Sequence, residues 1–200
     1  MKTKLAIFRA AAMAAILFLS GWLTAAQPSV GAEDLVACSP NQTHVAGVAA
    51  DGRICYQRSS DGVVEHTFYI CHAQALAFSE DGKLLAAAGG RNGSQGKIKV
   101  WRVSDRKQLC EIVMACEGAR TTALVTDGNL VIVASLNGTI EAWSVTDGKR
   151  QWSRSISPTV QAIRFAPDGN GLLIQCADGT ECLWDPAKGR NLLPAKATKQ

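Results

Sequence analysis

Short apolar runs and tight turns alternate along this chain, and the pattern returns about every 40 residues. Its most regular part is GTIEAW at 138–143, which is matched by GKIKVW at 96–101 and GTECLW at 179–184. Alternation of apolar and polar residues with a period of two is typical of a half-buried β-strand. Asp-Gly pairs between the runs favour tight turns. The pattern therefore predicts strands and hairpins rather than helices.

Four copies of one unit follow one another along the chain. Each copy has an apolar run, a turn, a second apolar run, a glycine turn, an alternating run and a short fourth run. Four-stranded units repeated at this spacing are the blades of a β-propeller. We therefore predict an all-β fold of four four-stranded antiparallel blades, placed at about 34–70, 73–115, 120–156 and 159–194.

A glycine and a tryptophan bracket the alternating run in three of the copies. We expect the glycine to supply the turn into the third strand of the blade. The tryptophan ends that strand, where its large ring can fill the space between neighbouring blades. These structural repeat markers are Gly96, Gly138 and Gly179 with Trp101, Trp143 and Trp184.

The copies resemble the WD-repeat family, through ALAFSEDGKLLAAAGG and GKIKVWRVSDRKQL in the second copy and Trp184-Asp185 in the fourth. The resemblance implies a propeller that binds other proteins and is not an enzyme. Many repeats of that family hold a buried Asp–His–Ser/Thr–Trp network, whose histidine position is occupied here by Tyr69, Cys116 and Ile156. A gapless alignment also places Gln57 in the tryptophan position of the first copy. We therefore expect apolar packing, and not that network, to hold the blades together.

The third copy, GTIEAWSVTDGKRQW, is also similar to quinoprotein-type propeller repeats. This second resemblance implies a propeller fragment with a cofactor-binding or an outer-membrane assembly role. The enzymes of that type typically carry an adjacent Cys-Cys pair, which this sequence lacks. We therefore predict no cofactor. A truncated reading frame without independent function is a further alternative.

The first 26 residues have the features of a signal peptide. Lys2, Lys4 and Arg9 precede an apolar run, and small residues at 24–26 suit cleavage, with a second candidate as late as residue 32. The sequence thus predicts an exported protein, periplasmic or secreted, with its repeat domain at 33–200. A membrane anchor formed by residues 10–26 is the alternative. Three of the four net positive charges lie in this segment, and no basic cluster elsewhere favours nucleic acid.

Residues with chemical potential are few, and their spacing matches no catalytic motif. His44, His66 and His72 have no acidic partner at a fixed spacing, and most aspartates fall in turn positions. We therefore predict no catalytic or metal site. Of the seven cysteines, Cys176 and Cys182 flank the Asp178-Gly179 turn and form a candidate disulfide.

Two surfaces remain as candidate contacts. The glycine-rich segment 89–96 reads as a long hairpin loop, with Arg91 and Asn92 at its tip. In addition, four blades with the curvature of the resembled family fall short of a full circle. We expect apolar outer faces on the first and last copies, and hence self-association of two copies into an eight-blade ring. Association with another propeller fragment is the alternative.

Overall fold

The computed structural model describes residues 35–49, 52–90, 95–117, 121–135, 137–157, 159–166 and 171–193. In these ranges the chain forms four four-stranded antiparallel sheets, each built from strands consecutive in sequence. The predicted all-β fold class is confirmed. The predicted signal segment, Arg91 and Asn92 lie outside the described residues. No helix in the described part of the chain is long and apolar enough to cross a membrane.

The four sheets are the blades. Blade 1 contains β1 (Val36–Cys38), β2 (His44–Val48), β3 (Arg53–Arg58) and β4 (Val64–Tyr69). Blade 2 contains β5 (Ala73–Phe78), β6 (Leu84–Gly89), β7 (Gln95–Arg102) and β8 (Gln108–Glu117). Blade 3 contains β9 (Thr121–Thr126), β10 (Leu130–Ser135), β11 (Thr139–Ser144) and β12 (Arg150–Ser155). Blade 4 contains β13 (Val160–Phe165), β14 (Leu172–Cys176), β15 (Glu181–Asp185) and β16 (Arg190–Leu193).

The blades stack in chain order through their first strands. β1 packs beside β5, β5 beside β9, and β9 beside β13, so the first strand of each blade is the innermost. Among the described strands, those of blades 1 and 4 make no contact of comparable extent. The described blades therefore form an open arc with two end faces.

Both faces of an interior blade are buried, and consecutive residues of one strand serve different interfaces. In β6, Leu84 and Ala86 pack toward blade 3, whereas Leu85 and Ala87 pack toward blade 1. This is the period-two geometry of a strand. It explains why β6 and β10 are continuous apolar runs, because a strand covered on both sides has no solvent-facing positions.

Each blade carries a β-bulge at the tryptophan position of its third strand. The ladder between the third and fourth strands shifts register just before Trp101, Trp143 and Trp184. The same shift in blade 1 falls just before Gln57. Gln57 therefore occupies the tryptophan position, as the alignment predicts. A bulge redirects the side chain and increases the local twist.

The turns depend on aspartate, as predicted. Asp81 accepts hydrogen bonds from Ser79 Oγ (2.7 Å) and from the Lys83 backbone N–H (3.0 Å). Asp178 accepts the backbone N–H of Thr180 at 2.9 Å. The Ser79 hydrogen bond, followed by that of the Lys83 backbone, lowers the pKa of Asp81 to about 2. Hydrogen bonds within the turns thus hold both carboxylates in place.

Glycine has different roles at the three marker positions. Gly138 and Gly179 have φ of 81° and 84° in the turns that lead into the third strands. Gly96, in contrast to the predicted turn, lies inside β7. A Cβ at residue 96 would lie 2.5 Å from Met114 Cε, so the end of the methionine side chain would have to move to admit a larger residue.

Candidate interaction surfaces

The three marker tryptophans fill the interfaces between blades. Trp101, Trp143 and Trp184 are only 4%, 8% and 9% exposed. The Trp101 ring lies 5.0 Å from Phe68 of the preceding blade, and the Trp184 ring lies 6.4 Å from Trp152. Each large ring therefore joins its own blade to the one before it.

Hydrogen bonding contributes little at these tryptophans. The buried Nε1 atoms of Trp143 and Trp184 have no hydrogen-bond partner in the part of the chain that the structure describes. This agrees with the prediction that the buried polar network is absent from these copies. Trp152 differs, because its Nε1 donates to the Pro186 carbonyl of blade 4 at 2.8 Å. The interfaces therefore depend mainly on apolar packing.

Two of the three histidines, His44 and His66, pack against aromatic rings, whereas His72 is exposed. His44 stacks on Tyr56 with ring centroids 4.7 Å apart, and His66 meets the ring of Phe68 edge-on at 4.6 Å. Burial lowers the pKa of His66. Within the described ranges, no three His, Cys, Asp or Glu side chains are placed to hold a metal ion.

The predicted disulfide is not formed in this structure, where Cys176 and Cys182 are both free. Cys182 pairs across the hairpin with Ile174, while the backbone N–H of Cys176, next to the turn, donates to the Thr180 carbonyl at 2.9 Å. The two thiols are thus diagonal and not direct neighbours. Burial, and then the nearby Cys176, raises the pKa of the Cys182 thiol, which disfavours the reactive thiolate.

A charged cluster on the rim joins blades 1 and 2. Glu65 accepts from Arg58 Nη2 at 2.8 Å, and its Oε2 lies 3.5 Å from His44 Nε2. Arg106, from the turn after β7, reaches Glu65 at 4.0 Å. The hydrogen bond from Arg58 is the largest influence that lowers the pKa of Glu65. Because Arg58 and Arg106 are half exposed, these ion pairs add at most a small stabilisation to the contact between blades 1 and 2.

The outer face of blade 4 differs in residue type from the interfaces between blades. We call it the blade 4 end face. It consists of Arg164, Leu173, Gln175, Glu181 and Leu183, which share one side of the sheet in the observed register. Arg164 and Glu181 are exposed. Neither has an ion-pair partner among the described residues.

Strand register shows what the same positions hold in the other blades. The cross-strand pair Gln175–Glu181 corresponds to Ala88–Ile98 in blade 2 and to Ala134–Ile140 in blade 3. Blade 1 has Val48–Ile54 there. All three isoleucines are fully buried at 0% exposure. Blade 4 has therefore replaced an apolar contact by two polar side chains.

The same replacement occurs on the innermost strand. Arg164 pairs with Leu173 in the position where Ala77 pairs with Ala86 and Val125 with Ile132. Both Ala77 and Val125 pack against interior clusters. The blade 4 end face thus keeps leucines at its centre and has polar residues at Arg164, Gln175 and Glu181.

The opposite end of the arc is the blade 1 end face, which includes Val36, Cys38, Val45, Gly47, Cys55 and Gln57. Gln57 stands where the other blades have tryptophan. It is only 5% exposed, and its Oε1 atom has no hydrogen-bond partner. An unpaired buried acceptor is costly and uncommon in native structures.

The blade 4 end face thus departs from the predicted apolar face at Arg164, Gln175 and Glu181, whereas the blade 1 end face departs from it only at Gln57 among its paired positions. The signal was already visible in the repeated segments, where the third residue is isoleucine in GKIKVW and GTIEAW but Glu181 in GTECLW. The repeat pattern alone could not show that this position faces the next blade.

Comparison with known proteins supports the family. The sequence model described as "WD domain, G-beta repeat" matches residues 62–102. This range covers β4 of blade 1 and β5 to β7 of blade 2, so one sequence repeat joins two neighbouring blades.

Three curated proteins are similar over more than half of the chain. The human "WD repeat and SOCS box-containing protein 1" is 32% identical over 56% of this chain and 26% of its own length. The human "Angio-associated migratory cell protein" is 28% identical over 62% of this chain and 28% of its own length. The "Periodic tryptophan protein 2 homolog" of Schizosaccharomyces pombe is 26% identical over 58% of this chain and 16% of its own length.

Taken with the four stacked sheets, these matches show that residues 62–102 form a WD-type repeat and that the chain is similar to WD-repeat proteins. It spans about a quarter of the length of the first two of these relatives. Proteins built from such repeats generally serve as non-catalytic modules that bind other proteins.

Proposed function

We propose that the mature protein is an exported, non-catalytic scaffold that binds protein partners through the end faces of its blade stack. The blade 4 end face is the observation that carries this proposal. Arg164 and Glu181, which have no ion-pair partner among the described residues, lie beside two half-buried leucines at positions that are apolar in the other blades. Apolar centres with polar rims are typical of protein-binding surfaces.

Self-association that completes a propeller is one form of this binding. It is supported by the described strands of blades 1 and 4, which make no contact with each other of the extent seen between neighbouring blades. Two copies that join end to end are the simplest closed arrangement with two-fold symmetry.

Export rests on the basic and apolar segment at the N-terminus. The expected result is a mature protein outside the cytoplasm that begins near Gln27 or Glu33. N-terminal sequencing of the exported fraction is the measurement. Recovery of Met1 in that fraction would contradict cleavage and favour an anchor.

Site-specific photo-crosslinking tests binding at the end face in cells that export the protein. A photoreactive residue in place of Gln175 should capture a protein, which is either a partner or a second copy. The matched control replaces Gln151, an exposed glutamine on the outer strand β12. Capture from position 175 alone supports the proposal. An absence of any crosslinked product from position 175, in properly folded protein, would contradict it.

A further inference from the structure

The turn between the third and fourth strands of each blade holds one residue with a positive φ. That residue is glycine in blades 1, 3 and 4, where Gly62, Gly148 and Gly189 have φ of 69°, 67° and 59°. In blade 2 it is Arg106, with φ of 61°. A side chain in this left-handed region costs free energy and persists only where its surroundings hold it. Blade 2 thus departs from the other blades at this turn.

The residue of this turn lies beside the fourth strand of the preceding blade. A Cβ at residue 189 would lie 2.5 Å from the Trp152 ring, and a Cβ on the corresponding glycine of blade 3 would lie 3.9 Å from Ile112. The Arg106 guanidinium instead lies 4.0 Å from the Glu65 carboxylate of β4. The contact between blades 1 and 2 therefore has a charged group where the next two contacts have glycine against an apolar side chain.

A histidine lies at the same contact. His66 pairs across the sheet with Tyr56, at the position that holds Cys110 in blade 2, Trp152 in blade 3 and Leu193 in blade 4. The ring of His66 is half-buried and meets Phe68 edge-on. Among the described fourth strands, this position therefore holds histidine only in blade 1. Histidine is the side chain whose ordinary pKa allows a change of charge between pH 5 and 8.

The groups around His66 leave its protonated form without an acid of its own. The titratable and charged groups of this contact are His44 on β2, Tyr56 and Arg58 on β3, Asp61 in the following turn, Glu65 on β4 and Arg106 in the turn of blade 2. Arg58 donates to Glu65 from Nε at 3.0 Å and from Nη2 at 2.8 Å, and to Asp61 at 2.8 Å. Burial, and then the positive charge of Arg106, lowers the pKa of His66.

We propose that the contact between blades 1 and 2 is an acid-sensitive element of the fold, in which protonation of His66 repels Arg106 and loosens blade 1 from blade 2. The half-buried imidazolium loses hydration against Phe68, and its charge meets a second positive charge across the contact. The equivalent Trp152 of blade 3 does not titrate, so the contact between blades 3 and 4 has no such response at this position.

His44 acts in the opposite direction and within one blade. Its Nδ1 atom lies 2.9 Å from Thr43 Oγ1, and its Nε2 atom lies 3.5 Å from Glu65. A protonated His44 can therefore donate to both oxygens. Because all three residues belong to blade 1, this response supports the blade itself, whereas that of His66 acts across the contact with blade 2.

The direction of the pH dependence follows from the lowered pKa of His66. Its ordinary value is 6.5, and the folded protein favours the neutral ring. The full stability of the contact is therefore present above about pH 6.5. Part of it is lost as the pH falls from that value toward the folded pKa.

Urea unfolding of the wild type and of His66→Gln, at several pH values from about 7.5 to 5, tests the role of His66. We expect the unfolding constant of the wild type to rise about threefold to tenfold more over this range than that of the variant, since one unit of pKa corresponds to tenfold. Arg106→Gly restores the residue of the other blades and should reduce the acid effect. His44→Gln removes the opposing response and should enlarge it.

His72→Asn is the matched control. His72 is exposed in the connection between β4 and β5, and asparagine tolerates its φ of 48°. This variant should keep the acid dependence of the wild type.

Hydrogen exchange, corrected for the intrinsic rate at each pH, locates the acid effect in the molecule. The amides of blade 1 in the wild type should lose protection about threefold to tenfold between about pH 7.5 and pH 5, and those of blade 4 should keep it. The loss in blade 1 should be absent from His66→Gln.

Either of two results would overturn the inference. One is an acid loss as large in His66→Gln as in the wild type, and the other is a loss of protection as large in blade 4 as in blade 1. If the variants do not fold, an NMR titration of His66 in the wild type decides, because a midpoint at or above 6.5 would contradict the repulsion. None of these measurements involves partner binding, so their failure would leave the scaffold function standing.

Discussion

The interface between blades 2 and 3 and the end face of blade 4 use the same strand positions with opposite chemistry. In the interior, Ile98 and Ala88 are fully buried against the next blade. At the end of the arc, Glu181 and Gln175 occupy the equivalent sites. The backbone ladders are alike, so the difference lies in what each face packs against.

This comparison shows that two requirements act on each strand. Hydrogen-bonded ladders and aspartate turns form the blade, and they tolerate either an apolar or a polar side chain on an outer face. Stacking is set by the side chains, because apolar area removed from water stabilises by roughly 25 cal/mol per Å². A polar end face therefore preserves the blade while limiting what can be added to the stack.

Placing the end-face residue in the interior should give the largest loss of stability. Ile98→Glu removes a fully buried isoleucine and leaves a carboxylate between two blades without a partner. We expect the free energy of unfolding to fall by about 5 kcal/mol or more. Urea denaturation measures it. The reciprocal change Glu181→Ile, measured on the monomer, should stay within about 1 kcal/mol. Equal losses in the two variants would mean that the two faces have the same environment.

Emptying an interior interface should have the next largest effect. Trp143→Ala removes a ring that is 8% exposed between blades 2 and 3. The expected loss is on the order of 3–5 kcal/mol, from the buried area and the cavity left behind. Arg91→Ala, in the predicted contact loop, should change stability by less than about 0.5 kcal/mol. Coincident urea midpoints for this pair would contradict the buried position of Trp143.

The sequence predicted the strands and turns that the copies share. It did not predict how the side chains of one blade pack against the next blade. Period-two runs and Asp-Gly turns predicted the four-stranded blades, because hairpin chemistry is local. The sequence also predicted that Gln57 occupies the position of the tryptophan in the other copies, since the copies can be aligned without a structure. The direction in which Glu181 faces was not predicted, because that depends on the order in which blades stack. The predicted disulfide between Cys176 and Cys182 was wrong for a similar reason, since the register of the hairpin sets the cross-strand partner of Cys182.

Two marker glycines offer a smaller contrast. Gly138 and Gly179 both have positive φ, but a Cβ at residue 138 would lie 2.5 Å from the Ile156 carbonyl oxygen, whereas residue 179 has open space. Gly179→Ala should cost about 1 kcal/mol from backbone strain alone. Gly138→Ala should cost about 2–3 kcal/mol, because the backbone must also shift. Thermal unfolding compares the two, and similar melting temperatures would count against the close approach.

The smallest effect concerns the turn that opens blade 2. The folded pKa of Asp81 is about 2, below its ordinary value of 3.8, because Ser79 and the Lys83 backbone bond the charged form. Its contribution is therefore fully present above about pH 4 and is lost as the pH falls toward 2. Asp81→Ala should flatten the acid limb of the stability profile in that window and leave its neutral part parallel to that of the wild type. An unchanged acid limb would contradict the charged hydrogen bonds.

Cysteine labelling of the folded protein tests the difference between interior and end faces most directly. Glu181→Cys and Ile98→Cys place a thiol at equivalent positions of blade 4 and blade 2, and mass spectrometry of the peptides identifies which thiols a maleimide has modified. An exposed end face and a buried interior predict rapid modification at position 181 and protection at position 98. Equal rates of modification at the two positions in folded protein would contradict it.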